Sequence, residues 1–442
     1  MEAATEAADP YRDDDRDEVA ELALSAGTAV ADPPLQRRRE RARRSGVPVP
    51  WAWLRTRWHA LPGEIRREYL WICVVYLSAR AVLIIAAVLL DAFGHKNLQG
   101  ELANWDGLWY REVANQGYPR HVYDYQTTLG FFPLFPVSIF LLSPVLQLLT
   151  THNQIWASTF SGVFISGAGG LIATIFVYKL AVGWWDRPTA RRAVAIFTWF
   201  PGAVVFSMVY SEGLLLPLTA VCLWALERRK WVLAGVMAGL GTAVQPVGLL
   251  LGVVVGVCAL RELWLHGWRS REFRQGLIAT ALSGVGAGAF AIFLWFWAGS
   301  PFANYIAQHK GWGEKTDALA LVHLTTRMWN EINPAHFNHP TVNLNLVVGF
   351  LGALLMLWEL VLLWKYRREV SLPAVVWTLG VTFFAATSEY VPPNPRLVIT
   401  AFPMLMLLAR RLTKWFGVVL SINFILFALL SLLTFYEHVL RP

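Results

Sequence analysis

After residue 68 the chain consists almost entirely of long apolar runs separated by short polar connections. Runs long enough to cross a bilayer lie near 69–93, 155–182, 190–209, 212–227, 231–245, 247–263, 276–299, 341–364, 371–388, 397–410 and 415–436. Several are short for an upright span and are expected to be tilted or broken. None shows the alternation over about ten residues that a lipid-facing barrel strand requires. The pattern predicts an all-α polytopic membrane protein.

A further apolar run, 131–150, reads as a span by hydropathy alone, but the arginines argue against it. The basic residues of the N-terminal segment place that end in the cytoplasm. If 131–150 crossed, the loop holding Arg187, Arg191 and Arg192 would be external. So would Arg228-Arg229-Lys230, the Arg261–Arg274 loop and Lys365-Arg367-Arg368. If it lies along the outer surface, all of these turn inward, joined by Arg410-Arg411 and Lys414. Pro133, Pro136 and Pro144 agree, because each removes a backbone donor that lipid would leave unreplaced. The expectation is about 11 transmembrane helices, an external juxtamembrane helix, a cytoplasmic N-terminus, an external C-terminus, and two large external loops, 94–154 and 300–340.

Composition then fixes the surroundings. Of 442 residues, 56% are hydrophobic and 15% charged, with 22 Trp and a mean hydropathy of +0.44; soluble proteins carry about a quarter charged residues. The net charge of +8 hides an asymmetry, since 10 of the 30 acidic residues precede residue 34, against only Arg12 and Arg16. The basic excess therefore sets topology and implies no nucleic-acid partner. Residues 1–50 have too little apolar content to fold alone and are expected to form a disordered cytoplasmic tail. Residues 51–68, with Trp51, Trp53, Trp58 and Arg66-Arg67, read as a juxtamembrane basic and aromatic segment on anionic lipid, leading into a membrane domain, 69–442. The first apolar run begins only near Tyr69, which speaks against a cleavable signal peptide. The bias of 31 Arg to 7 Lys points to GC-rich bacterial coding and hence a plasma membrane. Cys73, Cys222 and Cys258 are scattered within apolar runs and read as buried packing residues.

The cytoplasmic loops hold no glycine-rich phosphate loop, so any chemistry is expected outside. The most informative string is Asn104-Trp105-Asp106-Gly107-Leu108-Trp109-Tyr110, running on to Gly117-Tyr118-Pro119. Asn104 is expected to cap a short helix ending at Gly117, with Asp106 in its first turn and Trp109 and Tyr110 on the same face. On these grounds alone, Asp106 serves equally as a reactive carboxylate or as a complement to the helix dipole. Arg80 lies eleven residues into the first run and needs either a partner or a polar cavity there. Arg396 follows Pro392-Pro393-Asn394-Pro395 and is either a snorkelling anchor or a functional cation. His309-Lys310-Gly311-Trp312 pairs cations with an aromatic in the second loop. Glu212, after Tyr210-Ser211, opens a span. Glu112, His121 and Asp124 are weaker candidates. No His, Cys and carboxylate set has metal-ligand spacing, so no metal or other cofactor is expected.

The Asn104–Gly107 string, the Ala114–Tyr118 portion, Phe131-Phe132-Pro133-Leu134-Phe135-Pro136, Tyr210-Ser211-Glu212 and the Glu227-Arg228-Arg229 turn resemble the PIG-V-type mannosyltransferases. These belong to the GT-C superfamily of glycosyltransferases that use lipid-linked sugars. The resemblance runs in order from about Arg80 to Arg396. It departs at Gln245, in Ala243-Val244-Gln245-Pro246, where relatives commonly have Arg. It implies a GT-C-like fold, an acidic catalytic base in the first external loop and a polyprenyl-phosphate mannose donor. It also implies a surface helix beside the donor groove and a glycolipid or glycan acceptor. On that basis Asp106 is the expected base. Arg396, Lys310, His309 and Arg80 are the candidates for the donor phosphate, and Trp105, Tyr110, Tyr210, Ser211, Glu212, Gln245 and Trp312 for the sugar and acceptor. The alternatives are a GT-C enzyme moving another sugar or acting on protein, and a transporter or flippase of lipid-linked sugars. A transporter should show internal repeats and midplane polar sites, neither of which is evident in the sequence.

Overall fold

The computed structural model describes residues 62–92, 98–150, 153–332, 343–389 and 391–435. The tail 1–50, most of the segment 51–68 and the C-terminus beyond 435 lie outside the described residues. Of the unit 1–69 only 62–69 are described; the rest of the fold belongs to the unit Leu70–Pro442.

Helix α1 covers Gly63–Ala92 and α2 covers Leu98–Leu102, followed by α3 (Asp106–Gln116) and α4 (Leu134–Gln147). The long α5 (Gln154–Trp184) and α6 (Arg187–Trp199) lead into a 3-10 stretch, Pro201–Ser207, and then α7 (Glu212–Glu227) and α8 (Trp231–Thr242). A 3-10 turn at Pro246–Leu249 opens α9 (Leu250–His266), followed by α10 (Arg271–Ser283), α11 (Val285–Ala298), α12 (Ala303–Gly311) and α13 (Ala320–Ile332). The last elements are α14 (Leu344–Tyr366), α15 (Leu372–Thr387), α16 (Pro395–Thr400), α17 (Phe402–Arg411) and α18 (Phe416–Phe435). There is no strand among the described residues, only an isolated bridge between Thr316 and Ser388.

Each run expected to span the membrane is mainly helical over its described residues, but length divides them. Among the described residues six helices are long and apolar enough to cross, seven if the bent pair Pro201–Ser207 and Glu212–Glu227, which turns through 108°, counts as one span. The remaining runs are short or interrupted, as in α8, α15 and the α16–α17 pair. Helix α4 has 14 residues, a rise of about 21 Å against the roughly 30 Å of hydrocarbon. It buries Phe135, Pro136, Ile139 and Ser143, with Ser143 Oγ 3.3 Å from Ser161 Oγ of α5, and turns Phe140, Leu141 and Val145 outward.

Small residues set the spacing at the centre. A Cβ on Gly169 of α5 would lie 1.9 Å from the Gly213 carbonyl oxygen, and one on Gly213 would lie 2.3 Å from the Ser166 Cα. The α5 and α7 backbones therefore touch directly, as small residues permit in lipid, where no hydrophobic force draws helices together. Ser166 Oγ donates to the Tyr210 carbonyl at 2.9 Å, which ties α5 to the break before α7.

Arg80 rivets the neighbouring break. Its guanidinium donates to the Ala203 carbonyl, to Ser207 Oγ at 3.2 Å and to the Thr198 carbonyl at 3.2 Å. Its carbon centre lies over the rings of Tyr76, Phe206 and Phe427 at 5.1, 5.7 and 5.4 Å. The partner that the sequence demanded for Arg80 is thus a set of backbone carbonyls freed by the 3-10 stretch.

Gly213→Ala should lower the detergent thermal midpoint, since overpacking of this kind costs about 1–3 kcal/mol. It should also reduce any activity that depends on adjacent Glu212. An unchanged midpoint would mean that α5 and α7 do not touch here.

Candidate active site

The site is assembled from breaks in the helical pattern. Between α2 and α3 the chain turns at Trp105, which takes φ 54°, a left-handed value unusual for a bulky residue and of a kind that concentrates at functional sites. Asn104 does not cap α3 as expected. Its Oδ1 accepts the Trp105 N–H at 2.9 Å and its Nδ2 donates to the Thr434 carbonyl at 3.3 Å, so it holds the turn and ties it to α18. Helix α3 starts at Asp106 and ends at Gly117, φ 79°, as the Gly-x-Pro signal implied. Gly107 faces Val209, whose carbonyl oxygen lies 3.0 Å from where a Cβ would stand. The Val209 N–H donates to the Leu102 carbonyl at 2.9 Å. The two breaks therefore pair backbone to backbone, which brings Asp106 beside Tyr210-Ser211-Glu212.

Arg396 arrives from the other end of the chain. Asn394 caps α16 by accepting the Leu397 N–H at 3.0 Å. The proline turn before it is clamped by glycines: Gly349 and Gly352 of α14 face Pro392 and the Pro393 carbonyl, and Gly202 faces the Pro395 carbonyl at 2.1 Å from an ideal Cβ. So fixed, Arg396 forms an ion pair with Asp106 and a second with Glu212, Nε to Oε1 at 3.5 Å. It also sits over the Tyr210 ring at 5.4 Å. Asp106 is one-third exposed and Arg396 half as much, whereas Glu212 is buried at 4%, so the carboxylate open to a ligand is Asp106. Burial alone would lower the Arg396 pKa, but Asp106, Glu212 and Tyr210 raise it above its ordinary value. The guanidinium stays charged at any working pH.

Beside this ion cluster runs a hydroxyl relay. Tyr110 Oη donates to Ser211 Oγ at 2.7 Å, and Ser211 Oγ donates to Gln245 Oε1 at 2.8 Å. Burial, then the charges of Glu212 and Asp106, push the Tyr110 phenol well above its usual range, so it remains a donor. Phe131 and Phe135 hold the Tyr110 ring edge-on at 4.9 and 5.1 Å. The Phe-Pro string thus acts as scaffolding for α3, and its Leu134 N–H donates to the Ala243 carbonyl at 2.9 Å, next to Gln245.

The other candidates divide. Trp312 meets Trp109 edge-on at 5.0 Å and donates its indole N–H to the Thr127 carbonyl at 3.2 Å; it bridges the two external segments. Lys310 is exposed and faces Asp124 at 3.7 Å, while His309 Nδ1 lies 3.1 Å from the Glu314 carbonyl; neither enters the Arg396 cluster. Arg80 is also absent from it, its hydrogen bonds being committed to the Thr198–Ser207 segment. Sequence reasoning missed the polar seam between α3 and α5, where Arg111 donates to Thr159 Oγ1 at 3.3 Å and Asn115 to Ser158 Oγ at 3.2 Å. Its only signal was the i, i+4 spacing of Arg111 and Asn115. Among the described residues no three His, Cys, Asp or Glu side chains lie close enough to hold a metal.

Compared with known proteins, residues 77–309 match the family model of the mannosyltransferase (PIG-V) group. The chain belongs to the PIG-V mannosyltransferase family. The matched region includes Asp106, Tyr110, Tyr210, Ser211, Glu212 and Gln245 and ends before Arg396. Among similar proteins, GPI alpha-1,6-mannosyltransferase 2 of Cricetulus griseus is 28% identical over 161 residues, covering 35% of this chain and 31% of the relative. GPI mannosyltransferase 2 of Drosophila pseudoobscura pseudoobscura is 30% identical over 130 residues, covering 28% of this chain and 26% of the relative. The matches thus span a minor part of these relatives. Similar solved structures include ArnT from Cupriavidus metallidurans bound to undecaprenyl phosphate, at TM-score 0.46 and 14% identity, covering 84% of this chain and 76% of that one. The apo oligosaccharyltransferase of Archaeoglobus fulgidus gives TM-score 0.45 at 15% identity, covering 80% and 56%.

Arg80→Met in this PIG-V family member should destabilise strongly, since each hydrogen bond to a charged group contributes about 1.5–3 kcal/mol. Turnover of the folded fraction should stay near wild type. A selective kinetic loss at unchanged thermal midpoint would return Arg80 to the phosphate-binding set.

Proposed function

We propose that the protein is an inverting glycosyltransferase. It transfers mannose from a polyprenyl-phosphate donor to a hydroxyl of a glycolipid or glycan acceptor at the external membrane face. Family membership and relatives named as mannosyltransferases support the class of reaction. The observation that carries the site is the meeting of Arg396 with Asp106 and Glu212, which joins a base and a phosphate-binding cation at one point. The external location is supported by the arginines of the short loops.

In this reading Arg396 changes partners during the cycle. Before substrate binds, it neutralises Asp106. A donor phosphate engages the guanidinium through charge-assisted hydrogen bonds, and Asp106 is then free to accept a proton. The acceptor oxygen bonds to the anomeric carbon as the bond from that carbon to the phosphate oxygen breaks. The acceptor proton passes to Asp106, and the electron pair leaves with polyprenyl phosphate, its growing charge met by Arg396. Buried Glu212 keeps Arg396 aimed throughout. Partly buried Gln245 presents its amide for orienting sugar or acceptor hydroxyls and Trp105 supplies ring surface, while buried Tyr110 and Ser211 hold Gln245 through their relay and buried Tyr210 backs Arg396. Gln245, uncharged where relatives commonly carry Arg, leaves Arg396 as the cation of this cluster. With the leaving phosphate met by a guanidinium, the displacement needs no metal ion.

Asp106→Asn should lower mannosyl transfer from radiolabelled polyprenyl-phosphate mannose in membranes by about 10²–10⁴-fold, at near-normal expression. Full activity in that variant would sink the assignment. Transfer should persist in excess EDTA, and loss of activity restored by added Mn²⁺ or Mg²⁺ would show that a metal shares the phosphate.

A further inference from the structure

Helix α13, Ala320–Ile332, takes no part in the ion cluster, yet it turns its charges toward the protein. Its ionisable side chains, His323, Arg327 and Glu331, stand at i, i+4 and i+8 and so share one side of the helix. Each ends on a protein group. His323 Nδ1 lies 2.7 Å from Asp317 Oδ2, Arg327 faces Glu389 at 3.7 Å, and Glu331 accepts the Asn343 N–H at 2.7 Å. Ala320 and Leu324, both buried, adjoin that side. The opposite side is open and apolar. Val322, Trp329 and Ile332 are 55%, 63% and 51% exposed, and Leu319, just before the helix, is 56% exposed. Thr325 and Thr326 lie among them, and both return their hydroxyls to the Val322 carbonyl, at 2.7 and 3.0 Å. A helix that faces water turns its charged side out and its apolar side in. Here the order is reversed, and the outward hydroxyls are already satisfied, as apolar surroundings require.

What covers this side follows from where the helix ends. Glu331 binds the residue that caps α14, since Asn343 Oδ1 also accepts the Leu346 N–H at 3.2 Å. Helix α14 is long and apolar enough to cross a membrane and turns Leu351, Leu354 and Val361 outward. The last turn of α13 therefore lies at the mouth of a span, where a lipid-facing surface begins. With 13 residues, α13 rises about 20 Å against roughly 30 Å of hydrocarbon, too short to cross. An exposed Trp beside aliphatic residues suits the boundary between headgroups and acyl chains. We propose that α13 is an interfacial helix, with Leu319, Val322, Trp329 and Ile332 seated in that boundary of the lipid bilayer, and that it fixes the level of the Arg396 turn against the membrane surface. The link runs through the charged side. Arg327 holds Glu389, whose N–H donates to the Lys315 carbonyl at 3.1 Å, and Asp317, held by His323, donates its N–H to the Thr387 carbonyl at 2.8 Å. Residues 315–317 and 387–389 thus pair around the Thr316–Ser388 bridge, and the chain runs on from there into Pro392–Pro395 and Arg396. The consequence is that Arg396 waits at the depth of a lipid phosphate; this consequence rests on the proposed mannosyl transfer, whereas the seating of α13 does not.

The test uses the full-length protein in phosphatidylcholine nanodiscs, with Val322→Cys, Trp329→Cys or Asp124→Cys labelled by an NBD fluorophore. Asp124, 87% exposed, is the water control, and wild type labelled in parallel subtracts any signal from Cys73, Cys222 and Cys258. Doxyl-labelled phosphatidylcholine should quench the labels at 322 and 329 several-fold more than the label at 124, and iodide should show the opposite order. The seating is overturned if iodide reaches 322 and 329 as freely as 124. It is also overturned if neither quencher reaches them, which would mean that protein covers the face. For the link to the site, Val322→Asp with Trp329→Asp should raise KM for polyprenyl-phosphate mannose several-fold at near-normal kcat, while Val322→Leu with Trp329→Phe should leave both unchanged. Labels seated in lipid together with an unchanged KM in the acidic variant would overturn that link. A wild type inactive toward this donor would count against the proposed transfer, and the quenching result would still decide the seating.

Discussion

Buried backbone that leaves a helix has to find its hydrogen bonds within the protein, because neither a packed interior nor adjoining lipid supplies water. That constraint organises this molecule. The chain abandons the α-helix at 103–105, 208–211, 243–245 and 391–394, and much of the freed backbone is satisfied by another break or by a neighbouring helix. Val209 donates to Leu102 and Leu134 donates to Ala243; the Tyr210 carbonyl takes Ser166; the carbonyls of Thr198 and Ala203 take Arg80. Asp106, Tyr210, Ser211, Glu212, Gln245 and Arg396 all sit in or beside these breaks. The pairing that makes the interruptions tolerable is also what gathers the polar side chains, so structure and site share one cause.

The charge arrangement follows the same economy. Burying Glu212 requires a cation, and Arg396 supplies it while also reaching Asp106. The pairing leaves the partly open carboxylate and the closed one sharing a single cation; in the proposed cycle the open one gives up that partner to a phosphate and the closed one keeps it. A guanidinium held by two carboxylates and a tyrosine ring is aimed before any ligand arrives, the kind of preorganisation that electrostatic catalysis depends on. Glycine at 202, 349 and 352 matters to the site for a related reason. These positions let α14 and the 3-10 stretch press against the Pro392–Pro395 backbone, which sets where Arg396 begins.

Much was legible along the chain. Apolar length gave the helices, and the arginine distribution with three prolines marked 131–150 for separate treatment; the structure makes it a helix of 14 residues, in the same short range as α8 and α15. Gly117 and Pro119 marked the end of α3. The Trp-Asp-Gly and Phe-Pro strings led to the family, though their roles differ from a plain motif reading, since Gly107 serves close packing on Val209 and Phe131 and Phe135 serve as supports for Tyr110. Asn104 shows where local reasoning fails. Its residue type suits a helix cap, yet its amide reaches Thr434, a partner 330 positions away that no local rule contains. Arg80 shows the same limit, because its cost inside an apolar run was evident while its carbonyl partners were not.

What the sequence determined by itself is therefore what depends on near neighbours and solvent: which segments are helical, which are apolar enough for lipid, where polar residues interrupt them, and which residue types could do chemistry. The tertiary structure decided which interruptions meet. Ion pairing and hydrogen bonding act over a few ångströms of space regardless of separation in the chain, so Asp106 and Arg396, 290 residues apart, become one site only through helix packing. The same short range separates Arg80 and Lys310 from that site, although their charge alone had made them equal candidates.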